Sequence, residues 1–239
     1  MNLLITGISS DIGIALTKKL SLNYDKIYGQ YRTINAELEV LSSQLGDKLC
    51  LLQCDLKNED ETILTANSLQ QTEIDHFIHL PASSLSFNTR FLKTGWSMFE
   101  EDIDISLRSA VLFSQAAISG MAKRKYGKII YMLSSYCVDR PAAPYLSAYL
   151  TVKSGLLGLM KALSSEYASK FISVNAVSPS MFETKFLNNI SNLIIEKNAK
   201  ESPIGRNLTV GDIVPTFEFL LSKGADCITG QNIAVTAGN

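Results

Sequence analysis

One short segment places a tyrosine and a lysine where they can share a proton. Residues 145–155 read YLSAYLTVKSG, and only Tyr149 has a lysine, Lys153, one helical turn further on. A phenol with an ordinary pKa near ~10 is a poor acid or base at neutral pH, and a nearby ammonium group lowers that pKa. The spacing predicts proton transfer by Tyr149, although this pair also occurs on helices by chance.

Two serines precede this segment at the end of an apolar run. The sequence YMLSSYC (131–137) predicts a strand end that carries Ser134 and Ser135. A serine hydroxyl at such an edge can hold a carbonyl group and stabilise the negative charge that develops on its oxygen. Neighbouring strand residues point to opposite faces, so we expect one of the two serines to face the tyrosine.

The elements around these residues alternate between strands and helices. Predicted strands cover residues 2–6, 26–31, 48–54, 75–80, 128–133, 171–177 and 232–236. Predicted helices lie near residues 12–22, 34–45, 58–70, 97–124, 147–169 and 210–222. Apolar strands separated by helices indicate a parallel sheet covered on both faces. We therefore predict one doubly wound α/β (Rossmann) domain over residues 1–239, with an irregular region at 178–209.

A glycine-containing turn joins the first strand to the first helix. It reads TGISSDIG (6–13), and Gly7 and Gly13 let the backbone approach a ligand closely. A pyrophosphate there meets the free amides and the positive end of the helix. Tight turns also use glycine without any ligand, so the motif alone leaves cofactor binding open.

Together these motifs resemble the short-chain dehydrogenase/reductase family, and the resemblance covers nearly the whole chain. The segments SVNAVSPSMFETKF (173–186) and ITGQNIAV (228–235) are similar to the end of the family's sheet. The resemblance implies a Ser-Tyr-Lys core of Ser135, Tyr149 and Lys153, with Ser134 as the alternative serine. It also implies that Ser106 stands where the family carries an asparagine that relays protons to the lysine.

The resemblance further implies a nicotinamide cofactor. Its contacts would come from Thr6, Gly7, Ser9, Ser10, Asp11, Ile12, Gly13, Tyr31, Arg32, Asp55, Leu56, Pro81, Ala82, Pro179, Met181 and Thr184. An arginine after the second strand can pair with the 2′-phosphate of NADP, so Arg32 favours NADP over NAD. Asp55 would contact the adenine, or alternatively cap the helix that begins near Asn58.

Four positions depart from the family pattern. Asp11 replaces a glycine near the phosphates, where it would point away or cap the helix. The segment HLPA (79–82) replaces Asn-Asn-Ala-Gly, Ser106 replaces an asparagine and Ser180 replaces a glycine. His76 and His79 lie three residues apart on a strand and so face opposite sides, which argues against a shared metal ion. We expect no metal site.

The composition excludes several classes of partner. A formal net charge of −1 gives no general attraction to nucleic acid or to an anionic membrane. No apolar stretch approaches the ~20 residues that a membrane span needs, and the N-terminus does not resemble an export signal. Four scattered cysteines fit a reducing cytoplasm.

The expected reaction is the interconversion of a ketone and a secondary alcohol. The substrate would be a small molecule or an acyl thioester, as in the 3-oxoacyl-carrier-protein reductases of the family, with Arg90, Lys93, Arg140 and Arg206 as candidates for the entrance. Residues 136–145 and a lid around 181–206 would select it. The resemblance also implies a homodimer or homotetramer. The alternatives are a sugar or secondary-metabolite dehydrogenase, or a cofactor-binding regulator with weak chemistry.

Overall fold

Seven parallel strands form a single sheet. The computed structural model describes residues 1–83, 90–138, 144–188 and 190–238. The strands are β1 (Asn2–Thr6), β2 (Lys26–Tyr31), β3 (Leu49–Gln53), β4 (His76–His79), β5 (Gly127–Met132), β6 (Ile172–Pro179) and β7 (Asn232–Val235). They are ordered β3-β2-β1-β4-β5-β6-β7. The predicted doubly wound parallel fold is confirmed.

Helices cover both faces of this sheet. The α-helices are α1 (Asp11–Leu20), α2 (Ala36–Leu45), α3 (Glu59–Ser68), α4 (Trp96–Asp102), α5 (Ser109–Arg124), α6 (Ser147–Glu166), α7 (Asn192–Glu201) and α8 (Val210–Leu221). Short 3₁₀ turns lie at Ser21–Asn23, Gly46–Lys48, Phe91–Lys93, Ser135–Cys137, Ala168–Lys170, Lys185–Leu187 and Lys223–Ala225. Within the described residues, each helix is too short or too polar to cross a lipid bilayer.

The core is divided by the sheet into two apolar layers. In β1, Leu3 and Ile5 belong to one layer and Leu4 to the other, as alternation along a strand requires. The first layer includes Leu16 of α1 and Phe217 of α8, and the second is filled by α5 and α6. Both β5 and β6 are buried along their whole length, which explains why they read as continuous apolar runs.

The order in which successive strands are added to the sheet reverses between β1 and β4. β1 pairs with β2 on one side and with β4 on the other, and both pairings are parallel. Connections leave these two strands on opposite faces and open a crevice at their carboxyl ends. The glycine turn and the HLPA segment both begin there, so the fold brings these two motifs together.

The long helix predicted over 97–124 is not one regular helix. A π-helical segment, Ile103–Arg108, separates α4 from α5. Inside it the carbonyl of Ser106 accepts a hydrogen bond from His79 Nε2 at 2.9 Å. An extra donor to a helical carbonyl is a recognised cause of such irregularity. The sequence did not reveal it because the donor comes from a distant strand.

The region predicted to be irregular, 178–209, contains a helix. This helix, α7, keeps Ile194, Ile195 and Asn198 half-buried on one side. Asn198 Nδ2 donates to Asn207 Oδ1 at 2.8 Å, and Asn207 Nδ2 donates to the Ile195 carbonyl at 3.1 Å. The helix is therefore held by the side-chain amide of Asn207 in the following loop, which a hydrophobic pattern does not disclose.

Gly13 is the glycine whose replacement should damage the fold. A Cβ atom there would lie 2.6 Å from the Ile8 carbonyl oxygen and 2.7 Å from that of Gly7. We expect Gly13→Ala to destabilise the protein by about 1–3 kcal/mol, because the clash is with backbone. Each 1 kcal/mol corresponds to about 2–4 °C in Tm for a chain of this size.

Gly211→Ala is the matched control for Gly13→Ala. Its Cβ would make an ordinary 3.5 Å contact with Thr209 Oγ1, and alanine favours the helical conformation. Thermal melts of both variants check the prediction. Equal Tm values for wild type and Gly13→Ala would show that the turn tolerates a side chain.

Candidate active site

A cavity of about 630 Å³ opens at the carboxyl ends of the strands. The predicted site residues that line it are Gly7, Ser9, Ser10, Asp11, Ile12, Arg32, Asp55, Leu56, Pro81, Ala82, Ser135, Tyr149, Lys153, Pro179, Met181 and Thr184. The remaining four predicted residues, Thr6, Gly13, Tyr31 and Ser106, are not part of this lining. The fold thus brings the glycine turn and the tyrosine-lysine pair to one cavity.

The glycine turn is held open by hydrogen bonds from the neighbouring strand. Gly7 adopts a positive φ of 74°, and its amide donates to Gln30 Oε1 at 2.9 Å. A Cβ on Gly7 would lie 3.4 Å from the Pro81 nitrogen, so the two loops approach closely. Ser10 caps α1, since its Oγ accepts from the Gly13 amide at 3.2 Å. The N-terminus of α1 thus lies at the cavity, which Ser10, Asp11 and Ile12 line.

The Asp11 carboxylate binds the segment after β6, and the alternative that Asp11 caps α1 is wrong. The cap is Ser10, and Asp11 is the first residue of the helix. Its Oδ2 accepts from the Lys185 amide at 2.6 Å, and its Oδ1 lies 3.6 Å from Lys185 Nζ. Lys185 Nζ also donates to Glu37 Oε1 at 2.8 Å. The carboxylate therefore fixes the segment after β6 to the start of α1.

The end of β2 carries an exposed cation at the cavity. Arg32 is exposed and lines it, whereas Tyr31 packs against the apolar core. Asn35 caps α2 and also donates from Nδ2 to the Ser9 carbonyl at 2.8 Å. Asp55 lines the cavity, and the cap of α3 is Asn58, so the alternative that Asp55 caps this helix is wrong.

The tyrosine, the lysine and the serines meet where β5 ends. Lys153 Nζ donates to the Met132 carbonyl at 2.8 Å and lies 5.7 Å from the centre of the Tyr149 ring. The Tyr149 hydroxyl hydrogen-bonds Ser134. Ser134 and Ser135 are both buried and both line the cavity. The contact favours Ser134 as the partner of Tyr149. The assignment of Ser135 as the serine of the Ser-Tyr-Lys core stays a prediction.

Burial dominates the ionisation of this pair. It raises the pKa of Tyr149 above its ordinary value, although the Ser134 hydrogen bond acts in the opposite direction. It also lowers the pKa of Lys153 to about 8, against the opposing effects of Cys137 and Asp102. Lys153 was expected to lower the pKa of Tyr149, and that expectation is wrong here because loss of solvent raises it. Tyr149 is consequently a protonated phenol at neutral pH.

The HLPA segment is braced through its histidine. His79 Nδ1 lies 2.8 Å from Thr6 Oγ1, and Nε2 lies 2.9 Å from the Ser106 carbonyl. A carbonyl only accepts, so Nε2 carries the proton and Nδ1 accepts from the threonine. Burial lowers the pKa of His79 to about 3, which keeps it neutral. The Ser106 hydroxyl donates to the Pro81 carbonyl at 3.1 Å, and its role in proton relay stays a prediction.

Two buried hydroxyls in the segment after β6 suit a polar ligand. Ser180 Oγ and Thr184 Oγ1 are buried, and neither has a hydrogen-bond partner among the described residues. Both residues line the cavity beside Pro179 and Met181. Unsatisfied buried hydroxyls are costly, and a carboxamide group supplies both a donor and an acceptor. The residues present therefore fit a nicotinamide.

Sequence reasoning missed several residues that line this site, among them Gln30, Asn35 and Lys185. Gln30 follows a glycine in a strand, and its position at the strand end was a usable signal. Asn35 precedes a helix and is a recognisable cap. Lys185 contacts Asp11 across 174 residues of chain, so no local pattern identifies it.

A comparison with protein families identifies the chain's relatives. The family described as enoyl-(acyl carrier protein) reductase matches residues 7–239. The 3-oxoacyl-[acyl-carrier-protein] reductase FabG of Rickettsia prowazekii is 29% identical over 236 residues, which cover 98% of this chain and 95% of the relative.

Solved structures share the fold. The 3-oxoacyl-[acyl-carrier protein] reductase of Brucella melitensis superposes with a TM-score of 0.87 at 20% identity, covering 99% of this chain and 90% of that one. ElxO with NADP bound gives a TM-score of 0.86 at 22% identity, with 99% and 97% covered. The chain therefore belongs to the enoyl-(acyl carrier protein) reductase family, and it is an NAD(P)-dependent oxidoreductase of the short-chain dehydrogenase/reductase type.

Proposed function

We propose that this protein is an NADP(H)-dependent ketoreductase that acts on 3-oxoacyl thioesters. The observation that carries the proposal is the meeting of Tyr149, Lys153 and the serine pair in the same cavity as the glycine turn. The FabG relative, whose name gives it a 3-oxoacyl-carrier-protein substrate, supports the substrate class. A regulator with weak chemistry is less well supported, because the complete acid-base set shares the cofactor cavity.

The cofactor would be held by the turn and by the end of β2. The first-turn amides of α1 suit its pyrophosphate, and the exposed Arg32 suits a 2′-phosphate. Thr184 and Ser180 would bond the carboxamide. When bound, the reduced nicotinamide supplies a hydride to the carbonyl carbon. The NADP bound to the structural neighbour ElxO supports this cofactor.

The chain's own residues would handle the proton. Tyr149 donates its phenolic proton to the carbonyl oxygen as that oxygen gains negative charge, and a serine hydroxyl stabilises the same oxygen. Lys153, bonded to the Met132 carbonyl, brings its positive charge beside the resulting phenolate. Because burial raises the pKa of Tyr149, the phenol is ready to donate, which favours reduction over oxidation at neutral pH.

Substrate entry would be controlled by the segment after β6. This lid, around residues 181–206, contains α7 and is fixed to α1 through Asp11 and Lys185. Arg206 is paired with Asp212 at 2.7 Å and is committed to the start of α8. Arg140 lies outside the described residues, as do residues 139–143 of the proposed selecting loop. We propose a cytoplasmic homodimer or homotetramer, as the family resemblance implies.

Tyr149→Phe tests the acid. Removing the phenolic proton should lower kcat by roughly 10²–10⁴-fold, the usual contribution of general acid catalysis. The measurement is the loss of NADPH with a 3-oxoacyl thioester. Tyr167→Phe is the matched control, because Tyr167 lies at the C-terminal end of the same helix and outside the cavity lining. Turnover that survives Tyr149→Phe would refute Tyr149 as the acid.

The variants Ser134→Ala and Ser135→Ala distinguish the roles of the two serines. Removing the hydroxyl of the serine that holds the carbonyl should lower kcat by about 10²–10³-fold. The hydrogen bond to Tyr149 leads us to expect a large loss for Ser134→Ala. A large loss confined to Ser135→Ala would restore the assignment made from the sequence. Steady-state kinetics of both variants decide between them.

Thermal stabilisation by NADPH and NADH tests the cofactor. A ligand that binds only the folded state raises apparent stability by mass action. We expect NADPH to raise Tm more than NADH does. We also expect Arg32→Gln to weaken NADPH binding by roughly ten- to a hundredfold and to leave the affinity for NADH unchanged. Arg90→Gln removes an exposed arginine outside the cavity lining and serves as the control. A larger shift with NADH would contradict the role of Arg32.

A further inference from the structure

A side chain at the start of α1 reaches across to the segment that follows β6, residues 180–188. Asp11, the first residue of α1, accepts a hydrogen bond on Oδ2 from the Lys185 backbone amide at 2.6 Å. A short bond from an amide to a carboxylate is of the stronger, charge-assisted kind. Both residues line the cavity, so the bond joins two of its walls directly.

The ammonium group of Lys185 adds to this connection. Its Nζ lies 3.6 Å from Asp11 Oδ1 and donates to Glu37 Oε1, in the first turn of α2, at 2.8 Å. The hydrogen bond to Glu37 raises the pKa of Lys185, and the charge of Asp11 acts in the same direction. The Lys185 side chain is 62% exposed, so these ion pairs should add little to global stability. We refer to these three residues as the tie.

The tie sets where the segment after β6 lies relative to the glycine turn. In the part of the chain that the structure describes, the hydrogen bonds from this segment to α1 and α2 all come from Lys185. Other backbone bonds hold the segment to different neighbours. The Ser180 amide donates to the Val235 carbonyl at 3.0 Å, and the Glu183 amide donates to the Leu208 carbonyl at 2.9 Å. Lys185 therefore supplies the polar contacts that cross to the turn.

Two hydroxyls that await a ligand lie on the segment that the tie holds. Ser180 Oγ and Thr184 Oγ1 are buried, and neither has a hydrogen-bond partner among the described residues. Thr184 directly precedes Lys185, so the amide that Asp11 binds fixes the backbone next to this hydroxyl. Groups that are ordered before a ligand arrives lose less entropy when it binds. A ligand that bonds these hydroxyls would meet them already in place.

We propose that Asp11 is a positioning residue for the cofactor. Through Lys185 it holds the segment after β6 against α1, which keeps the Ser180 and Thr184 hydroxyls in place for the nicotinamide. The cofactor part of this proposal rests on the proposed function, whereas the tie is a property of the protein alone. A carboxylate near phosphates is unfavourable by charge, and the Lys185 ammonium offsets that charge.

Amide hydrogen exchange of the ligand-free protein tests the tie. In Asp11→Ala the Lys185 amide loses its acceptor, so it should exchange about tenfold faster than in wild type. Asp11→Asn keeps a side-chain oxygen that can accept, and it should give an intermediate rate. Asp60→Ala removes an exposed carboxylate from the first turn of α3 and should leave the rate unchanged. NMR of the ¹⁵N-labelled protein supplies the rates, and thermal melts check that each variant is folded.

Two ligands that differ in the nicotinamide separate positioning from charge. NADPH and 2′-phospho-ADP-ribose carry the same phosphates, and only NADPH has a nicotinamide. If Asp11 positions the segment, Asp11→Ala should reduce the preference for NADPH over 2′-phospho-ADP-ribose by about tenfold. A change of charge at the turn would instead alter both affinities by the same factor. Calorimetric titrations of wild type, Asp11→Ala and Asp60→Ala give these ratios.

Three results would overturn the proposal. One is an unchanged exchange rate at Lys185 in Asp11→Ala. Another is an equal change in both affinities, which would reduce the role of Asp11 to its charge. The third is tighter NADPH binding in Asp11→Ala, which would show that the tie obstructs the cofactor. If wild type binds neither ligand, the proposed function and the cofactor role of Asp11 both fail, whereas the exchange rates still show whether the tie exists.

Discussion

All seven strands run in the same direction, so the chain leaves every one of them along the same edge of the sheet. This geometry forces the glycine turn after β1, the HLPA segment after β4 and the serine pair after β5 into one row. Because the strand order reverses between β1 and β4, the connecting segments separate there and leave a crevice. The location of the site is therefore a consequence of topology, and the local sequence supplies its functional side chains.

Burial then sets the pKa values of the tyrosine-lysine pair. Lys153 and its neighbours lie between α6 and the sheet, where a charge is costly. The same loss of solvent keeps the Tyr149 phenol protonated and brings the pKa of Lys153 down to about 8. Simple reasoning from spacing expects the lysine to make the tyrosine more acidic. The structure shows that this electrostatic effect must first exceed the desolvation of the tyrosine itself.

Features set by neighbours in the sequence were predictable, and features set by distant contacts were not. The strands follow from apolar runs, and the pairing of Tyr149 with Lys153 follows from helical spacing. The π-helical segment depends on a bond from His79 to Ser106, and the orientation of Asp11 depends on the Lys185 amide. Both partners lie far away in the chain. Helix α7 was missed because the side-chain amide of Asn207, in a later loop, holds it.

The departures from the family pattern compensate one another in space. His79 bonds the carbonyl of Ser106, and the hydroxyl of Ser106 bonds the carbonyl of Pro81, so two of the altered segments brace each other. The carbonyl of Ser106 is consequently engaged on the side that faces β4. The end of β4 and the π-helical segment are therefore coupled through one neutral imidazole, because the ring that donates to the Ser106 carbonyl also accepts from Thr6 in β1.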